Sequence, residues 1–200
     1  FKMITKDRNY RTFDIRTKDE DNKMIVEGYA VTFNKPTVMY EYDGIEYKEE
    51  IDKDAFKGCQ MSDVVLNFNH NGKPMARTKN NTLTLTVDDF GLKIVADLSG
   101  TEEGRKTYEE VNGGYLDKMS FAFTTNAEEY NREQHLRRIT GIKRLFDVSI
   151  VDFPAYDTTS INARSFFEAE AQREHAEACN KEVNKRKLAL RVKLLMNGGY

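Results

Sequence analysis

The chain has 200 residues, 39% hydrophobic and 32% charged, with a formal net charge of −2. That length suits one ordinary domain plus an appendage, and the balance of charges gives no global basic field for holding nucleic acid. Apolar runs fall well short of the roughly 18–20 residues that a membrane helix needs, and no apolar segment follows the opening Phe1-Lys2-Met3, so neither a membrane span nor a secretory leader is read. A first residue other than Met is read as a processed chain.

Residues 3–17 alternate loosely around Phe13 and Ile15, as a half-exposed strand does. Asp19 to Asn22 is a turn. Met24 to Phe33 is β-branched and aromatic and reads as a strong strand, with Gly28 at a bulge. Asn34-Lys35-Pro36-Thr37 stops it. Tyr40 to Ile51 folds back on itself at Asp43-Gly44, a hairpin turn pair. Asp52 to Gly58 is expected to form a short helix, capped by Asp52 or Asp54 and ended by Gly58. Val64 to His70 is the next strand, stopped by Asn71-Gly72. Thr82–Val87 and Leu92–Leu98 form a hairpin about Asp88–Gly91.

Thr101 caps an internal helix whose first turn holds Glu102 and Glu103, where the helix dipole favours acids. Tyr108 and Val111 form its apolar stripe, and Gly113-Gly114 ends it. Lys118 to Phe123 is an apolar strand with one hydroxyl, Ser120. Glu128–Glu133 is read as a strand end and turn. Leu136–Ile142 and Lys143–Val151 are read as two further strands. Pro154 marks a corner after them. From Ser165 to Met196 there is neither Gly nor Pro, and helix formers dominate, so a long helix is expected. Strands recurring at short intervals suggest a mainly β (α+β) domain, an antiparallel β-barrel over residues 1–164 with flanking helices. Residues 165–200 form a helical, basic-ended tail.

Few residues offer chemistry. Cys59 and Cys179 lie far apart without metal-ligand spacing, so neither a disulfide framework nor a metal site is read, and a reducing compartment is the natural setting. No cofactor is implied. His135 and His175 sit in polar stretches and read as solvated. His70 ends an apolar strand, either as a packed core histidine or as a general base at a strand end. In a strand, Met119, Phe121 and Phe123 point one way while Ser120, Ala122 and Thr124 point the other. Ser120 is then a nucleophile on a rigid platform, or a small residue in a tight place. Serine needs a base within hydrogen-bond reach, and the base needs an orienting group. Asp147 alternates with Phe146 and Val148, and is either that group or an outward-facing carboxylate.

An ordered set of short motifs resembles the prohead maturation proteases of tailed bacteriophages, which are similar to herpesvirus assemblins. The set comprises Val26-Glu27-Gly28-Tyr29-Ala30 with Phe33-Asn34, Glu50-Ile51 with Asp54-Ala55-Phe56, and Leu66-Asn67-Phe68-Asn69-His70 with Pro74-Met75-Ala76-Arg77-Thr78. It continues through Asp89-Phe90-Gly91-Leu92 and Met119-Ser120-Phe121-Ala122-Phe123. It ends with Leu145-Phe146-Asp147-Val148-Ser149-Ile150-Val151-Asp152-Phe153-Pro154-Ala155-Tyr156, Thr159 and Arg164. Together the matches cover roughly residues 10–164.

The resemblance implies an assemblin-type barrel and a serine endopeptidase, with His70 as base, Ser120 as nucleophile and Asp147 as the third member. Asp147 stands where the family often has Glu, Asn71 where it often has Asp, and Ala122 where it often has Gly. Arg144 and Arg138 are the implied oxyanion donors. Implied partners are the major capsid protein with its scaffold segment and the chain itself, through autocleavage or oligomerisation. The implied setting is the immature capsid in the host cytoplasm, with no membrane and no nucleic-acid partner. The tail is a solvated helix or coiled-coil segment, or a docking or scaffold-like element whose basic half, Lys181–Lys193, meets an acidic capsid segment. A non-enzymatic scaffold module and a nucleic-acid-binding barrel are the alternative readings.

Overall fold

The first strands already show what holds the sheet together. A computed structural model of the chain describes residues 9–20, 23–152 and 161–197. β1 (Asn9–Glu20) and β2 (Lys23–Thr32) pair antiparallel, with Ile15 opposite Gly28. A Cβ on Gly28 would meet the Asp14 carbonyl oxygen at 2.5 Å, so the glycine marks a close backbone approach. The irregularity in β2 lies further on, between Tyr29 and Val31 against β8. β3 (Thr37–Tyr42) and β4 (Ile45–Ile51) form a hairpin whose turn residues Asp43 and Gly44 have φ of 51° and 75°. Two positive φ values in a two-residue loop match the right-handed twist of the strands.

The short helix expected at Asp52–Gly58 is instead a run of turns, with Asp52 Oδ1 accepting the Asp54 N–H at 2.8 Å. Seven residues barely outlast the costly helix nucleus, and Ala55 and Phe56 gain burial without one. β5 (Val65–Phe68) and β6 (Asn71–Arg77) follow, joined by Asn69 and His70. Pro74 is tolerated because β6 pairs with β5 alone, leaving it at an edge. β7 (Leu83–Val87) and β8 (Gly91–Asp97) form the expected hairpin. α1 (Glu102–Asn112) is capped by Thr101, whose hydroxyl accepts the Gly104 N–H at 2.9 Å. β9 (Lys118–Asn131) runs 14 residues, and β10 (Leu136–Val151) is one bulged strand of 16 residues where two were expected.

These strands hydrogen-bond in the order β3-β4-β10-β9-β1-β2-β8-β7, with β5 paired to β10 and β6. The expected barrel is therefore corrected to an open, mixed sheet of ten strands in an α+β fold. β3 and β7 stand at opposite ends of the path and do not meet. The sheet is not wholly antiparallel either, because β4 and β5 both run parallel to β10. They share its outer edge, β4 along Leu136–Ile139 and β5 along Asp147–Ile150. Met119, Phe121 and Phe123 of β9 sit fully buried in the core with Leu66, Val148 and Ile150.

The chain divides into two compact units between Arg164 and Ser165. The second consists of α2 (Ile161–Asn197) from Ser165 onward, with Val183, Leu188, Leu190, Val192, Leu194 and Met196 exposed among basic residues. Among the described residues no helix is long and apolar enough to cross a membrane, and no cluster of ligating side chains fits a metal ion. The turn at 21–22 and the corner at 153–157 lie outside the described residues.

Gly91 gives a test of the register. A Cβ there would come within 1.8 Å of the Val31 carbonyl oxygen, whereas at Gly100 it would meet nothing. Gly91→Ala is expected to lower unfolding stability by about 3 kcal/mol or to prevent folding, and Gly100→Ala to change it by less than about 0.5 kcal/mol. Denaturant midpoints measure both, and equal midpoints would contradict the β2–β8 pairing.

Candidate active site

Ser120 gains its setting from β9 and β10. Directly paired residues of neighbouring strands lie on one face of a sheet. Ser120 is opposite Ser149, and Ala122 is opposite Asp147. A bulge at Phe146, between the pairs Leu145–Phe123 and Asp147–Ala122, gives β10 one extra residue there. β5 extends the same rung, with Asn67 beside Ser149. One face thus carries Asn67, Ser149 and Ser120 across three strands, with Asp147 two residues along.

His70 reaches this face from a turn, not from a strand. Asn69 and His70 have φ of 49° and 54°, and β6 begins at Asn71. The strand end expected at Asn71-Gly72 thus falls two residues earlier, and His70 does not share the face of Leu66 and Phe68. Left-handed backbone is uncommon for non-glycine residues, though Asn and His adopt it more readily than most. Here it is held by partners. The Asn69 N–H donates to the Ile150 carbonyl at 2.9 Å, and the His70 N–H donates to Ser149 Oγ at 3.1 Å. Ser149 Oγ in turn donates to Asp147 Oδ1 at 3.0 Å. The His70 ring closes the circuit through a short contact between Nδ1 and Asp147 Oδ1. Asp147 is 7% exposed and the His70 side chain 13%, so bulk water does little to weaken this pair.

Ser120 is 3% exposed, and its Oγ makes no hydrogen bond among the described residues. Asn67 Oδ1 is likewise buried without one. A buried polar atom left unsatisfied costs about 1–3 kcal/mol, and both atoms flank Ser149 on the same rung. The β5–β6 hairpin that carries His70 is clamped at its base by Asp63. Arg77 donates to both Asp63 oxygens, at 2.7 and 2.9 Å, and Lys79 lies 2.9 Å away. These cations hold the Asp63 carboxyl well below the usual carboxylate range. A lowered carboxylate pKa contributes stability that is full above about pH 4 and fades as pH falls toward the folded value, and at an exposed site salt screens it.

The two expected oxyanion arginines stand elsewhere. Arg138 is opposite Glu129, nine residues along β9 from Ser120, roughly 25–30 Å at strand spacing. It donates to Asp52 at 2.9 Å and lies 3.5 Å from Glu50. Arg144 is opposite Thr124, about 13 Å along the strand from Ser120. Neither position supports the oxyanion role. His135, in its own left-handed turn, packs on Tyr47 with ring centroids 5.0 Å apart and takes no part in this cluster.

The sequence alone does not mark Ser149 or Asn67 as site residues. The signal for Ser149 was its i+2 spacing from Asp147 on one strand face. Asn67, three residues before His70, carried none beyond its place in the motif. Ser149→Ala removes a donor to Asp147 and the acceptor of the His70 N–H. It is expected to cost about 1–3 kcal/mol in unfolding stability, read from the denaturant midpoint. An unchanged midpoint would show that the Ser149 hydroxyl does not hold the turn.

The same ordered residues can be compared with known proteins. No curated protein and no solved structure matches the chain. A family model described as caudovirus prohead serine protease matches residues 11–174, which include β10, the His70 turn and the Ser120 strand. With most of its length matched, the chain belongs to the caudovirus prohead serine protease family.

Proposed function

We propose that the chain is a serine endopeptidase in which Ser120 is the nucleophile, His70 the general base and Asp147 the acid that orients it. The observation that carries this is the His70 Nδ1 contact with Asp147, beside the rung that holds Ser120. With Nδ1 occupied by the carboxylate, the other ring nitrogen, Nε2, is assigned the role of base toward Ser120. His70 removes the Ser120 proton as Oγ attacks a peptide carbonyl. The same imidazole then protonates the leaving amine. Water, deprotonated in turn by His70, releases the acyl group. Asp147 keeps the tautomer and stabilises the imidazolium that forms.

Family membership supports a role in phage head maturation. The finer assignment is that the substrates are scaffold segments of capsid protein and the chain itself, cut inside the immature shell in the host cytoplasm. Residues 1–164 are assigned the proteolysis. The tail from 165 is assigned docking, its basic half facing an acidic capsid segment. Because Ser120 Oγ is buried, the groups above it must move aside before a substrate carbonyl can approach.

Co-expression with the capsid protein tests this directly. Wild type is expected to shorten the capsid protein, and Ser120→Ala to leave it intact while keeping the wild-type thermal midpoint. His70→Ala should slow cleavage by about 10⁴-fold or more, and Asp147→Ala by about 10²–10⁴-fold, as the roles of base and orienter require. Cleavage retained by Ser120→Ala would remove Ser120 from the mechanism. The reverse ranking of His70 and Asp147 would reverse their roles.

A further inference from the structure

The face that carries Ser120 continues along β9 through Ala122 to Thr124, alternate residues of a stretch whose extra residue falls on the partner strand. It is deepest at the serine end, where Ala122 is fully buried, and opens at Thr124. Arg144 stands opposite Thr124 and so lies on the serine's face. Here the surface forms a cleft of about 980 Å³, lined in part by Gln60, Thr124, Asn126, Lys143, Arg144 and Phe146.

The cations of β10 differ in how they are neutralised. Arg137, also in the cleft wall, lies 3.1 Å from Glu49 and contacts Glu128. Arg138 is held by Asp52 and Glu50. Lys143 and Arg144 are exposed and have no carboxylate partner among the described residues. The Arg144 guanidinium carbon lies 4.9 Å from the Phe146 ring centroid, a contact that fixes the side chain without cancelling its charge. Lys143 is the extra residue of a bulge, since Ile142 and Arg144 face the consecutive residues Thr125 and Thr124. Gln60 clamps that bulge from outside. Its N–H donates to the Lys143 carbonyl at 3.0 Å, and its carbonyl accepts the Leu145 N–H at 3.1 Å. Bulges of this kind re-aim side chains beside functional sites.

We propose that this cleft holds the substrate on one side of the scissile bond, and that Lys143 and Arg144 select an acidic side chain of an extended peptide about four residues from that bond. The spacing follows from the strand, since Thr124 is four residues from Ser120 and an extended peptide rises about 3.3 Å per residue, as β9 does. The proposal rests on Ser120 being the nucleophile. A peptide fits the cleft better than a nucleic acid does. Arg144 covers the Phe146 ring that would stack a base.

Two measurements separate this proposal from its parent. In the first, wild type cleaves a series of capsid-derived peptides carrying Glu or Gln at successive positions on either side of the cut. One position, about four residues away, is expected to show about a tenfold higher kcat/KM for Glu, shrinking as salt rises. Lys143→Glu combined with Arg144→Glu should invert the preference toward Lys at that position. Ser120-dependent cleavage with equal rates for Glu and Gln throughout would overturn the subsite and leave the catalytic assignment standing. The second measurement needs no turnover. Fluorescein-labelled Glu peptide should bind Ser120→Ala about tenfold more tightly than its Gln counterpart, and equal affinities would overturn the proposal whatever Ser120 does. Acid-selective binding without any Ser120-dependent cleavage would overturn the catalytic assignment and the spacing counted from it, and leave only the acid-selective cleft standing. Displacement of the peptide by a single-stranded oligonucleotide, itself lost on the double charge reversal, would reassign the two cations to nucleic acid and overturn the peptide subsite.

Discussion

The closed circuit of His70, Asp147 and Ser149 is the constraint on which the site depends. Two residues in left-handed backbone join β5 to β6, and such backbone persists where its surroundings over-determine it. Here the surroundings are two backbone donors and one ring, all ending on β10. The turn is fastened to Ile150, Ser149 and Asp147, and Ser149 lies directly opposite Ser120. The imidazole and the carboxylate are therefore joined on β10, and Ser120 sits on the paired strand opposite Ser149.

β10 can do this because it is long and has two kinds of neighbour. Its inner edge pairs antiparallel with β9 along nearly its whole length, while its outer edge is divided between β4 and β5, both parallel. A barrel would not need that division. In an open sheet the outer edge of β10 must be covered, and an edge left bare invites pairing with another chain. The β5–β6 hairpin covers the Asp147–Ile150 end and delivers His70 there. The Phe146 bulge adds a second consequence. It places Asp147 opposite Ala122 while Arg144, three residues earlier in the chain, still faces Thr124. A buried carboxylate and an exposed cation thus share one face at different depths.

Much of this was legible in the residues. The alternation of Met119, Phe121 and Phe123 with Ser120 and Ala122 is what the core and site faces of β9 show. The Asp43-Gly44 turn, the β7–β8 hairpin, the Thr101 cap and the long helix expected from Ser165, which starts at Ile161, follow from local chemistry. What local pattern did not show was sheet closure, because strand spacing is the same in an open sheet and a barrel. It also did not show which residues turn at His70. Asn71-Gly72 is a strong turn pair, yet Asn69 and His70 make the turn, since tertiary hydrogen bonds to β10 outweigh that preference. The β10 bulges are equally hidden in local pattern, which divides this single bulged strand into two. Arg144 and Arg138, the oxyanion donors that the resemblance implies, are set along the sheet by register, and Arg138 is held there by Asp52 and Glu50.

The central claim is that Ser120 is a nucleophile activated by a His70 ring that Asp147 holds. It is tested most directly by the intact mass of the protein after reaction with a fluorophosphonate, which phosphonylates activated serines. The account predicts one adduct on wild type, mapped to the peptide containing Ser120, and none on Ser120→Ala or His70→Ala. An unmodified wild-type protein that is fully folded, or an adduct that persists on Ser120→Ala, would contradict it.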